Sequence, residues 1–271
     1  MTEDGAVSSI TTGNRAQYAD SRKLAARARL NRDHTVAEIG WFPWVAQQLP
    51  LAEGQRVLDV GCGPGWFWAS VADALPPQLD LTLSDLSEGM VAEAVERCGP
   101  LPFGHLAGVP VDAMALPFAD GTFDAVVAMH MFYHLADPAQ GMAEAYRVLR
   151  PGGFLAVTTN GVGNMRALYA LNSVFDVPPV DPAGLAFGCE AAERLMGGRF
   201  GNVAASRHPA RLRVTEPEDV FLALTSYPPG DGADAAQLAA LRAAIDAAFA
   251  AGGGVLDTEK ESVLFLSRKD A

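Results

Sequence analysis

Three alternating glycines follow an apolar run in VLDVGCGPGWFW, Val57 to Trp68. Gly61, Gly63 and Gly65 allow the backbone to turn sharply and to approach a ligand with no Cβ in the way. Asp59 stands just before them, and Asp85 closes the next apolar run in TLSDLS. A carboxylate accepts both hydroxyl protons of a ribose diol, so this pairing points to a nucleoside ligand. A dinucleotide fingerprint requires a third glycine where Trp66 stands, which disfavours a NAD-dependent oxidoreductase.

A second group lies in MHMFYHLAD. His134 is the candidate general base or acceptor-orienting group, because an imidazole can take a proton from an O–H or N–H near neutral pH. His130 is read as structural or adjacent to the cofactor. Phe132, Tyr133, Asn160, Asn164, Met165 and Tyr169 flank the strand ends that should form a pocket. Aromatic walls with a few amides suit a neutral, flat or apolar acceptor. Tyr18, Arg29 and His34 lie on a segment expected to fold over the cleft, either reaching the acceptor or packing as a lid. Trp41, Phe42 and Trp44 are read as core or lid contacts. Cys62 is expected to pack as a small apolar residue rather than to act as a nucleophile.

These groups need strands and helices to hold them. Tyr18 to Ile39 lacks Gly and Pro and reads as helix. RVLDV, LDLTLSDL, VPVDAMAL, TFDAVVAMHM and FLAVTTN read as strands. WFWASVADAL, GMVAEAVERC and PAQGMAEAYRVL read as the helices between them, the last capped by Asp137 with Pro138 at its first position. Such alternation implies a parallel sheet covered on both faces. Beyond residue 160 the order breaks. Gly161 to Gly188 reads as irregular, and Glu190 to Met196 as helix. Asn202 to Val214 reads as a strand with Pro209 at a bulge or edge. Thr215 and Glu218 suggest a capping box. Asp234 to Ala251 reads as an alanine-rich helix, and Ser262 to Ser267 as a closing strand. The expected division is a helical lid over 1–50, a cofactor-binding core over 51–160, and an acceptor-side insertion that completes the sheet over 161–271.

The composition narrows the partners. A net charge of −12 argues against a nucleic-acid backbone or an anionic membrane surface as the partner. The cluster Arg22, Lys23, Arg27, Arg29 and Arg32 is read as a solvated helix face. Cys62, Cys98 and Cys189 are too few and too scattered for a disulfide framework or a metal pair, so no metal is expected and a reducing, cytoplasmic compartment is. MTEDGAVSSITTGN has neither the basic nor the apolar region of a signal peptide. No apolar run reaches the length of a membrane span.

VLDVGCGPG, SDLSEGM, DAMALPFADGTFDAVVA and LRPGG occur in this order. Together they resemble the class I S-adenosylmethionine (SAM)-dependent methyltransferases, in particular the small-molecule methylases similar to the ubiquinone/menaquinone-biosynthesis type. The resemblance runs from Arg56 to Asn160. It implies an α/β, Rossmann-like fold with a seven-stranded mixed sheet, its last strand antiparallel, and helices on both faces. It implies SAM as cofactor. Asp59, Gly61 and Gly63, with Cys62 between the glycines, would hold the methionine part, and Asp85 the ribose. Leu86 and Met90 would pack on the adenine. Asp112, with Ala113 beside it, would bond the adenine amino group, and Met129 would lie near the sulfonium. The expected activity is in-line methyl transfer to O, N or C of a small aromatic or natural-product-like acceptor, by a monomer or homodimer. A SAM-binding regulator without turnover is the alternative; the intact loop, Asp85 and Asp112 oppose it.

Overall fold

The apolar runs of the first half form strands whose side chains are buried on both faces. The computed structural model describes residues 22–270. In its central sheet β2 (Arg56–Val60), β3 (Asp80–Asp85), β4 (His105–Pro110), β5 (Phe123–Met129) and β6 (Leu149–Asn160) run parallel. The strand order is β4-β3-β2-β5-β6-β10-β7, where β7 is Ala204–Arg207 and β10 is Ser262–Arg268. β10 is antiparallel to both neighbours, as the resemblance implies for the final strand. The helices α3 (Trp66–Val71), α4 (Glu88–Cys98) and α5 (Pro138–Val148) supply the crossovers.

This order fixes the place of the site. From β2 the chain moves to one side through β3 and β4, then crosses back to place β5 on the other side of β2. Ligands bind outside the carboxyl ends of the strands at such a switch point. Asp59 lies level with Leu83 of β3 and Val127 of β5, so the loops after these strands open into one crevice. Local chemistry agrees with the element ends. Ser87 caps α4 through the Met90 N–H, and Asp137 caps α5 through Ala139 and Gln140, with Pro138 at its first position. Each cap contributes about 1 kcal/mol.

A second body rests on this sheet. β1 (Thr35–Val36), β8 (Arg211–Val214) and β9 (Leu256–Glu259) form a small antiparallel sheet. α1 (Arg22–His34), α6 (Arg166–Tyr169), α9 (Pro217–Leu224) and α10 (Ala235–Ala251) pack around it. Leu30, Leu212, Val220, Leu241 and Ile245 are at its apolar centre. The first described helix therefore joins residues beyond 160, whereas α2 (Trp41–Ala46) packs on the central sheet.

The helix expected to run to Ile39 ends at His34, where Thr35–Val36 forms β1, and four further expectations change. The fourth strand is His105–Pro110, not VPVDAMAL; Pro110 ends it, and the Met114 N–H bonds Asp112 Oδ1 at 2.8 Å in a turn. Asn202 to Val214 is split, because the chain leaves one sheet at His208–Pro209 and enters the other. Gly161 to Gly188 holds α6, the 3-10 turns of Ala170–Phe175 and α7 (Pro182–Phe187). The capping box is at Asp234 and Gln237, while α9 begins after Glu216 with no side-chain cap. α8 (Cys189–Phe200) covers the sheet near β6 and β10. No helix among the described residues is long and apolar enough to cross a membrane.

Candidate active site

The glycine loop is shaped by two different demands. Gly61 has φ +72°, and a Cβ there would meet the Met131 Cβ at 2.6 Å, so this glycine makes room for the neighbouring loop. Gly63 has φ +51°, and a Cβ there would meet nothing within 4 Å, so this position faces open space. The Cys62 N–H bonds Ser84 O at 2.8 Å, and Arg97 of α4 bonds Pro64 O, which fixes the loop at both shoulders. Burial raises the Cys62 thiol far above its usual range, with the Asp59 and Asp85 charges adding to it, so it does not supply a thiolate.

Two carboxylates meet this loop. Asp59 is 2% exposed; its Oδ2 accepts from the Trp68 indole N–H at 2.7 Å, and its Oδ1 is buried without a hydrogen-bond partner. Burial, with the Asp85 charge adding to it, pushes Asp59 up to about 7 against the pull of the Trp68 bond. Asp85 accepts from the Gly63 N–H at 3.1 Å and from the Ser87 N–H at 2.9 Å. Burial raises Asp85 too, and the backbone donors of Ser87, Gly63 and Leu86 oppose it. Leu86 is 53% exposed, an apolar face next to Asp85. Met90 is 1% exposed and packs inward from α4, so its side chain lies beneath the cleft surface. Asp112 is exposed and turned toward its own loop, with Ala113 half-buried beside it. Arg147 of α5 holds the following segment through Leu116 O, Phe118 O and Asp120, and Glu144 beside it accepts from the Leu116 N–H, which gives DAMALPFAD a fixed course.

The other wall comes from the end of β5. Met129 ends that strand, and His130 takes the left-handed conformation at φ +53°. The His130 N–H bonds Thr158 O at 3.1 Å, and its ring lies 5.4 Å from that of Trp41. Burial, with the Lys260 charge adding to it, pushes the His130 imidazole down to about 4, so it is neutral at physiological pH. Phe132 is buried and stacks on Phe187 of α7 at 5.2 Å, which turns it into the core. Tyr133 and His134 meet edge to face at 4.5 Å in a 3-10 turn closed by the His134 N–H on Met131 O.

The end of β6 carries a polar junction. Asp181 Oδ2 accepts from the Asn160 amide at 2.9 Å and the Asn164 amide at 2.6 Å, and its Oδ1 accepts from the Ala183 N–H at 2.8 Å. The two asparagine oxygens accept from Ser262 Oγ and the Glu261 N–H. Both amides thus hold β6, α7 and the β9–β10 turn together. Burial raises the Tyr169 phenol well above its usual range, with Asp181 and Tyr227 adding to it. Arg29 and His34 both bond Asp219 of α9 at 2.8 Å, so they dock α1 on the second body. Tyr18 lies outside the described residues.

The cleft fits the nucleoside cofactor the motifs imply: an unpartnered buried carboxylate oxygen, open space at Gly63, an acid at the β3 tip and an exposed leucine beside it. Residues 58–157 match the family model for a methyltransferase domain. By this match residues 58–157 form a methyltransferase-type domain. The domain is similar to demethylmenaquinone methyltransferase of Beutenbergia cavernae, 43% identical over 117 residues, 43% of this chain and 45% of that one. It is also similar to 27-O-demethylrifamycin SV methyltransferase of Amycolatopsis mediterranei, 32% identical over 177 residues, 64% of this chain and 58% of that one. In fold it resembles phosphoethanolamine N-methyltransferase 2 of Haemonchus contortus, solved with SAM, with a TM-score of 0.58 and 20% identity over 98% of this chain and 61% of that one. The chain spans about half the length of the curated relatives it matches, from 40% to 63%.

Residues that the motifs do not single out also pack against the walls of this cleft. Trp41 lies between the rings of His130 and His208, at 5.4 and 5.3 Å, and joins the β5 loop to the second body. Asp181 and Lys260 stand at the junction, and their partners come from segments far apart in sequence. Only Asp181 carries a local signal, as the acid before Pro182 that caps α7.

Proposed function

We propose that the protein transfers the SAM methyl group to an oxygen, nitrogen or carbon atom of a small aromatic or natural-product-like acceptor. The observation that carries this reading is the meeting of Asp59, Gly63 and Asp85 with the His130–His134 segment at one switch point. The cofactor supplies, when bound, a methyl group on a positively charged sulfur.

In this reading Asp59, Gly61, Cys62 and Gly63 hold the methionine part, the unpartnered Asp59 oxygen facing its ammonium. Asp85 takes the ribose hydroxyls in place of the loop bond it makes here. Leu86 covers the adenine, with Asp112 and Ala113 at its edge and Met90 supporting it from beneath. Met129 and the neutral His130 border the sulfonium side, and a neutral ring there adds no repulsion to a cationic donor. His134 takes the acceptor proton where an O–H or N–H is methylated, and Tyr133 holds its ring. Tyr169 lines the acceptor side, with the body built from residues beyond 160 as its roof. Phe132, Asn160 and Asn164 act by fixing that wall. Catalysis then rests on proximity and orientation, for which effective molarities reach about 10⁵ M or more.

The test is incubation of the purified protein with methyl-labelled SAM and a small-molecule extract of its host. Label in a discrete compound, with kcat lowered by His134→Ala, supports the reading. Tight SAM binding with no labelled compound contradicts it and favours a regulator.

A further inference from the structure

Lys260 stands at the turn between β9 and β10 with an acid on each side, and it pairs with neither. Glu259 bonds Arg211 at 3.2 Å. The Glu261 carboxylate lies over Gly161 and Gly163, where an added Cβ would meet its oxygens. The Lys260 ammonium instead bonds Asn31 Oδ1 of α1 and Thr35 Oγ1 of β1, both neutral. An ammonium has three donors, and among the described residues these two are its only hydrogen-bond partners and no carboxylate forms an ion pair with it. Its backbone is fixed by the N–H bond to Ala210 O at 3.1 Å.

Among the described residues Asp181 is the acid whose charge acts on it. The rings of His130 and His208 feel the lysine charge, and both imidazoles are lowered chiefly by burial. Asp181 is the acid that raises Lys260, yet both its oxygens already accept from Asn160, Asn164 and Ala183. Burial pushes Lys260 down to about 8, the direction for a cation drawn from water without a partner anion. Lys260 is half-buried, and a cation partly withdrawn from water in this way is stabilised when an anion completes it. The turn stands at the carboxyl edge of the sheet, where Ser262 pairs with Asn160 at the end of β6, the strand whose Thr158 O holds the His130 N–H.

We propose that Lys260 binds an oxyanion carried by the acceptor, a carboxylate or an acidic phenol, and so selects acidic acceptors. This deepens the methyl-transfer reading and rests on it for the identity of the ligand. It departs from the neutral acceptor that the pocket aromatics suggest by themselves.

The test uses the full chain saturated with S-adenosylhomocysteine. Benzoate, 2-naphthoate and 4-nitrophenol are titrated by calorimetry, with benzamide and 2-naphthamide as neutral counterparts. At least one acid is expected to bind about tenfold tighter than its neutral counterpart, the scale of one charge-assisted hydrogen bond. Lys260→Met should remove that preference with S-adenosylhomocysteine affinity unchanged, and Lys260→Arg should retain part of it. Equal binding of acids and amides, binding of none of them, or a preference that survives Lys260→Met overturns the proposal. Carboxylate against phenol separates the two sources of oxyanion. The labelled product from the host extract separates this claim from methyl transfer. Label only in compounds whose unmethylated forms are not retained on an anion exchanger overturns the role of Lys260 and leaves the transferase standing. No label, with acids bound through Lys260, leaves an anion site and removes the transferase.

Discussion

Trp68 donates its indole N–H to Asp59 Oδ2 at 2.7 Å and leaves Asp59 Oδ1 buried without a partner. The residue before the glycine loop is thus half satisfied by the fold. The free oxygen is the place for the cofactor ammonium in the proposed function.

Asp59 should make the ligand-free protein less stable as pH rises. Its pKa is raised from 3.8 to about 7, so its contribution is complete below about 3.8 and is lost as pH rises through 7. The span corresponds to at most roughly 4 kcal/mol. Chemical denaturation from pH 4 to 8 should show this decline in the wild type and not in Asp59→Asn. S-adenosylhomocysteine affinity should strengthen over the same range in the wild type only.

His130 has the opposite sign. Its pKa is lowered from 6.5 to about 4, so its contribution is present above 6.5 and is lost as pH falls through 4. Asparagine tolerates the left-handed backbone at this position, so His130→Asn isolates the titration. The difference in unfolding free energy between the two proteins should change by roughly 2–3 kcal/mol from pH 7 to pH 4. A flat difference would show that the ring is not withdrawn from water.

The two loop glycines should fail differently. Gly61→Ala drives a Cβ into Met131 and should cost about 2–4 kcal/mol of stability. Gly63→Ala has only the backbone cost of about 1 kcal/mol. Its larger effect should be on cofactor affinity, because the new methyl enters the open side of the loop. Melting temperature and calorimetry on both variants separate the two losses.

Asp219 docks α1 through Arg29 and His34. Asp219→Asn should destabilise the protein by about 1–3 kcal/mol. Hydrogen exchange should speed up in α1 more than in β5. Uniform loss of protection would place the effect elsewhere.

The central sheet is legible because its strands are strongly apolar and its loops carry the glycines, Asp85 and the Asp137–Pro138 cap. β4 is hidden because it is an edge strand with alternating exposure and a glycine inside it. The second body is hidden because its three short strands lie far apart along the chain, Thr35 pairing with Leu212 and Arg211 with Glu259. At the candidate site, residue type shows the cofactor side but not the use of each polar group. Asn160 and Asn164 look available in sequence, and only the fold brings Asp181 to both. Lys260 meets Asn31 and Thr35 across more than two hundred residues, beyond the reach of any local pattern.

Calorimetric titration of S-adenosylhomocysteine into the wild type and Asp85→Ala tests the cofactor site most directly. Saturable binding is expected, weakening roughly tenfold to a hundredfold in the variant with little change in melting temperature. Equal affinity in the two proteins, or no binding to the wild type, would contradict it.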